Sequence, residues 1–202
     1  MYTIKFDEMN EHKRRELHKL IVADSDIVDT IYAVRLFIKE VDGITHPLFM
    51  PLQETIIISY ARPFTDNEPF GTLSKKYCKF SSQRLADLHK KMIDTRNHYI
   101  AHSDSDVRRV TIIPPGTKNY GEYRSGRSKD IGFEITNKRF EIATFTDILE
   151  LCQDVGSSIH KDVNKLLDEL FPSSSNPGSP IELIHFLDGD PIITPYSHTK
   201  EK

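Results

Sequence analysis

Between Thr144 and Phe171, the residues Ile148, Leu151, Val155, Ile159, Val163, Leu166, Leu167 and Leu170 recur at helical spacing. An apolar stripe about six turns long must be buried against other elements, and because helices dominate the rest of the chain a bundle is expected. Thr144 and Asp147 resemble a capping box at its start. Glu8 to about Ala23 reads as a charged amphipathic helix, and Asp24-Ser25-Asp26 offers caps for a second. That second helix carries Ile27, Ile31, Val34, Ile38 and Val41 on one face, and nothing between the two breaks firmly, so one long bent helix is equally compatible. Gly43 ends the unit. A further helix runs from near Pro47 to Arg62 with Leu48, Leu52, Ile56, Ile57 and Tyr60 inward. Pro51 sits harmlessly in its first turn, and Pro63 closes it. Phe64 to Phe80 reads as a loop.

The next helix carries the chemistry. Ser81 and Ser82 can cap it, and neither Gly nor Pro intervenes before residue 104. Leu85, Leu88, Met92 and Tyr99 form its apolar seam, with Ile93 and Ile100 alongside. Arg96 falls on that seam, in the run Arg96-Asn97-His98-Tyr99-Ile100-Ala101-His102-Ser103-Asp104. A guanidinium holds phosphate through paired donors at any pH, and an imidazole exchanges protons near neutrality. In an unbroken α-helix Arg96 and His102 lie about 9 Å apart along the axis and about 120° apart around it. One phosphodiester can bridge two side chains so placed. Asp94, His98 and His102 also follow one another at four-residue steps, a metal-ligand spacing. No Glu follows the first histidine, however, and no further ligand set is evident. No metal or other cofactor is expected, and Asp94 with His98 reads as an ordinary pair on the solvated side.

With Asn97 after the arginine, Ala101 before the second histidine and Ser103-Asp104 after it, the segment resembles the R-x(4–6)-H signature of the HEPN superfamily. The likeness is specific over residues 81–105 and architectural elsewhere. It implies a metal-independent endoribonuclease, with Arg96 on the scissile phosphate, His102 as general base or acid, and Asn97 orienting the histidine or the phosphate. It also implies a homodimer meeting along the motif helix, in a toxin–antitoxin or phage-defence setting with a protein antitoxin or defence partner. Members without catalysis serve as RNA- or nucleotide-binding and assembly modules, which is the alternative function; a purely structural dimer is a third.

After the motif the pattern changes. Val107–Ile113 is β-branched, Ile131–Ile135 alternates, Thr136-Asn137-Lys138 reads as a turn, and Arg139–Ile142 alternates again. The expectation is a mainly α, up-and-down bundle over residues 1–171. A small β-hairpin insertion at about 107–142, with 116–130 at its tip, precedes the last long helix. Residues 172–180 read as a flexible linker, and Ile181–Pro195 is apolar enough to dock on the body or a partner.

The net charge of −3 argues against a general polyanion binder. Locally, Arg108, Arg109, Lys118, Arg124, Arg127, Lys129, Lys138 and Arg139 face only Glu122, Asp130 and Glu134. That surplus of positive charge, interleaved with Tyr120 and Tyr123, can hold an RNA backbone and stack a base. Arg62, His98, Tyr99, Arg108, Arg109, Tyr120, Arg124 and Arg127 are therefore the candidate substrate contacts. Arg62 also reads as a helix-terminal cation beside Phe64. Cys78 and Cys152 have no metal spacing and suggest a reducing compartment. The polar first fifteen residues do not resemble a signal peptide, and no apolar run is long enough to span a bilayer, so a cytoplasmic protein is expected.

Overall fold

A computed structural model describes residues 11–66, 71–100, 108–114, 132–137 and 139–170. Four helices make up most of it: α1 (Glu11–Glu40), α2 (Phe49–Ala61), α3 (Gln83–Thr95) and α4 (Thr144–Leu170). Short 3-10 turns occupy Arg62–Phe64 and Lys75–Cys78. Strands β1 (Arg108–Ile113) and β2 (Gly132–Asn137) pair between α3 and α4. The protein is a mainly helical bundle with a two-stranded antiparallel ribbon before its last helix.

The first two expected helices are one. Asp24-Ser25-Asp26 continues the helix because no Gly or Pro interrupts it, and its inward face follows alternating steps of three and four. Leu20, Ala23, Ile27, Thr30, Val34, Phe37 and Val41 are all buried. Ile38 was expected inward but falls between those steps and lies exposed. Thr30 is tolerated in the core because its hydroxyl donates to the Asp26 carbonyl at 2.7 Å. The helix stops at Glu40, short of Gly43.

Helices α1 and α4 run antiparallel along their length. Lys13 meets Glu169 at 2.8 Å, Asp24 lies 3.8 Å from His160, and Phe37 stacks on Phe145 with centroids 3.5 Å apart. At Gly156 a Cβ would sit 3.3 Å from Ile27 Cγ2, so the smallest side chain sets how near the two helices come. Helix α2 is likewise antiparallel to α1, with Phe49 edge-on to Phe37 and Arg62 bonded to Asp26. Helix α3 closes the bundle between α4, which Ser81 and Arg84 reach, and α2, which meets His89 through Tyr60. Ser82 caps α3 by accepting from the Leu85 N–H at 3.3 Å. At the start of α4, Asp147 pairs with Arg84.

The ribbon differs from the expected one. β2 continues through Thr136 and Asn137, where a turn was expected, and the register runs from Arg108 opposite Asn137 to Ile113 opposite Gly132. Residues 139–142 form no strand, because Phe140 enters the core and its N–H donates to the buried Gln53 Oε1 at 2.7 Å. A ladder cannot continue through an amide already spent on a side chain. On α2, Phe49 and Gln53 turn inward while Leu48 stays exposed. Residue 138, the expected hairpin tip at 116–130, the linker 172–180 and the segment 181–195 lie outside the described residues.

Candidate nucleic-acid site

The motif does not sit on an unbroken α-helix. At Arg96 the helix changes to π geometry, which runs through Ile100 and lies against α2. Hydrogen bonding from i to i+5 sets side chains at other angles around the axis than an α-helix does, so α-helical spacing does not hold over Arg96–Ile100. Short π segments often mark functional sites, because the irregular turn re-aims side chains that an α-helix would place elsewhere.

Within this turn Arg96 is half-buried and its Nη1 donates to Asn97 Oδ1 at 3.1 Å. Among the described residues no carboxylate lies within ion-pair distance of Arg96. A partly desolvated guanidinium with a neutral amide partner keeps most of its positive charge available for an anion. His98 is exposed and, among the described residues, forms no ion pair with Asp94. The α-helical spacing that would pair them ends where the π turn begins. No cluster of three His, Cys, Asp or Glu able to hold a metal occurs among the described residues.

His102, Tyr120, Arg124 and Arg127 lie outside the described residues, as do the side chains of Tyr99, Arg108 and Arg109. The ladder register still sets Arg108 and Arg109 opposite Asn137 and Thr136 at the base of the ribbon. Two further cations rest on aromatic rings: Arg139 lies over Phe49 at 6.0 Å, and Lys91, five residues before Arg96, lies over Phe140 at 4.6 Å. Arg62 is placed elsewhere. Its Nη1 meets Asp26 Oδ1 at 3.1 Å, tying the end of α2 to α1. Its near neighbour Tyr60 is level with His89, about 10 Å before Arg96 along α3.

One polar pair escaped the sequence reading. The buried Tyr60 hydroxyl meets His89 Nδ1 at 2.8 Å, and the rings of Phe64 and Phe80 stand 4.7 and 4.9 Å from the imidazole. The available signal was His89 lying seven residues before Arg96, on the same face of the helix. Burial holds the imidazole below its ordinary pKa and the phenol well above its own, so both are neutral near pH 7. Burial also pushes the Cys152 thiol to about 12, leaving it protonated and a poor nucleophile.

Two consequences can be measured. Tyr60→Phe removes the hydroxyl and strands a half-buried ring nitrogen, a loss of about 1–2 kcal/mol by urea denaturation at pH 7.5. Because the folded imidazole has the lower pKa, the unfolded chain takes up the proton first as pH falls. His89 therefore costs no stability well above its ordinary pKa of about 6.5, and a progressive loss sets in as pH drops through and below it. The urea midpoint should fall more between pH 7.5 and 5 for the wild-type protein than for His89→Leu. Equal slopes would show that this imidazole does not titrate differently on folding.

Comparison with family models, with curated proteins and with solved structures found no match to this chain.

Proposed function

We propose that this chain is a metal-independent endoribonuclease of the HEPN type, acting through Arg96, Asn97 and His102. The observation that carries this reading is the half-buried Arg96 guanidinium, held by the Asn97 amide in a π turn, with no carboxylate partner among the described residues. A phosphodiester oxygen is the anion that such a planar fork fits. The sequence's surplus of basic residues over 107–139, to which Arg108, Arg109 and Arg139 belong, supports a polyanion as the ligand.

In the proposed reaction Arg96 holds the scissile phosphate and stabilises the charge that develops on its oxygens. The ribose 2′-hydroxyl loses its proton and its oxygen bonds to phosphorus. The 5′-oxygen leaves with a proton, giving a 2′,3′-cyclic phosphate and a 5′-hydroxyl end. His102 makes one of these two proton transfers, and Asn97 keeps the guanidinium aligned. Two protomers meeting along the motif helix would bring two such sets to one cleft. Among the described residues no helix is long and apolar enough to cross a membrane. The cytoplasmic setting follows from the two isolated thiols, and a role in defence or as a toxin, with an antitoxin or defence partner, is what the resemblance implies.

The test is to incubate the purified full chain with structured RNA in excess chelator and identify the ends formed. Cleavage to cyclic-phosphate ends is the expected result. RNA binding without cleavage would assign the chain to the non-catalytic binding modules. No effect on RNA would leave only a structural role.

A further inference from the structure

Helix α1 has a second apolar face. Opposite its buried seam, Ile21, Val28, Tyr32 and Leu36 line up at steps of seven, four and four, and all are exposed, Tyr32 by 65%. The exposed Arg35 lies one heptad beyond Val28, and Asp29 lies at the edge of the stripe. No described element covers this face. Apart from exposed Ser25 between Ile21 and Val28, the stripe is apolar, and such a stripe on a helix already packed through its other side marks a surface that takes a partner.

We propose that the partner is the chain's own carboxyl-terminal segment, residues 181–195, docked on the outer face of α1. Three observations select it. The first is where α4 ends: Leu170 follows Glu169, which is bonded to Lys13 at 2.8 Å, so the chain leaves the bundle beside the amino-terminal end of α1. Ile21 lies about 12 Å along α1 from Lys13, and Leu36 about 35 Å. Residues 171–180 can extend about 33–36 Å, which brings the whole stripe within reach of residues 181–195. The second is composition. Ile181, Leu183, Ile184, Phe186 and Leu187 put five apolar side chains in seven positions. The third is charge: Glu182, Asp188 and Asp190 are opposed by no Lys or Arg between 181 and 195, whereas the exposed Arg35 stands beside Leu36 at the end of the stripe.

The other exposed apolar positions suit this segment less well. Val110 and Ile112 are on the ribbon, which leads through Phe140 to Phe145 at the far end of the α1–α4 pair. A second copy of the chain could also cover α1. A tethered segment, however, meets the stripe at an effective concentration near millimolar, which a separate protomer does not match at ordinary protein concentrations.

The experiment places a photo-crosslinker on the stripe of the full-length protein, as Tyr32→p-benzoylphenylalanine, and maps the products by mass spectrometry. The expected product has the mass of one chain and joins position 32 to a peptide within 181–195. In the same background, Phe186→Asp should lower that product at least tenfold while the circular dichroism spectrum and melting temperature stay unchanged. A product of twice the chain mass joining α1 to α1 would overturn the proposal in favour of a second copy. Crosslinking to no peptide in 181–195, or crosslinking that survives Phe186→Asp undiminished, would overturn it as well. This inference is independent of the ribonuclease reading, since crosslinking is scored without RNA.

Discussion

Arg96→Ala is expected to slow RNA cleavage in chelator by two to three orders of magnitude, the scale on which removal of one preorganised donor from a developing oxyanion acts. The size follows from the position. Arg96 is half-buried and its described partner is the Asn97 amide 3.1 Å away, so little competes with a phosphate for its charge. Arg96→Lys keeps the charge but loses the planar fork, and its rate should fall between those of the wild type and the alanine variant. Asn97→Ala removes only the alignment, and about a five- to tenfold loss is expected from one hydrogen bond of about 1 kcal/mol. His102→Ala should cost about two to four orders of magnitude and also remove one limb of the pH–rate profile, which Arg96→Ala should leave in place. Combining Arg96→Ala with His102→Ala should cost less than the two single losses multiplied, because both groups would serve one phosphate. Undiminished cleavage by Arg96→Ala would trace the activity to a contaminant and end the proposal.

The helices were legible because their apolar residues recur with the helical period, and α1, α3 and α4 follow from that period and from caps such as Ser82. Three features were not legible, the last two for one shared physical reason. The π turn at Arg96–Ile100 has no composition of its own, so the motif read as plain α-helix until the hydrogen-bond pattern changed beneath it. The burial of Gln53 runs against its polarity and becomes intelligible only with its acceptor facing the Phe140 N–H, a partner 87 residues away. The same long-range bond ended β2's neighbourhood at Asn137, and alternation alone had allowed a further strand over Arg139–Ile142. For the candidate site, the resemblance set Asn97 on the histidine or the phosphate, and local spacing did not reveal its bond to Arg96. It could not foresee that Arg62 would be drawn to Asp26 on α1, because that pairing depends on how α1 and α2 cross.

Phe145→Ala should be the most damaging single substitution for stability, costing about 3–5 kcal/mol. The side chain is fully buried, stacked on Phe37 at 3.5 Å and 16°, edge-on to Phe49 at 6.1 Å, and 6.4 Å from Phe140. It thus joins α1, α2, α4 and the residue that leads out of the ribbon. Truncation removes the transfer energy of the ring and leaves a cavity walled by three other aromatics, each fixed by its own helix or by the Gln53 hydrogen bond. Those walls cannot collapse inward without unpacking α1 from α4, so the cost should fall in the upper part of the range. Against a total stability of about 5–15 kcal/mol for an ordinary domain, that loss is a large fraction. A fall in melting temperature of roughly 10 °C is expected for a chain of this size. Phe145→Leu keeps most of the volume and should cost less than half as much. Val110→Thr, on an exposed face, should be close to neutral. Scanning calorimetry of the three variants separates these outcomes. If Phe145→Ala melted within about 2 °C of the wild type, the aromatic cluster would not be the junction that holds the helices and the ribbon together.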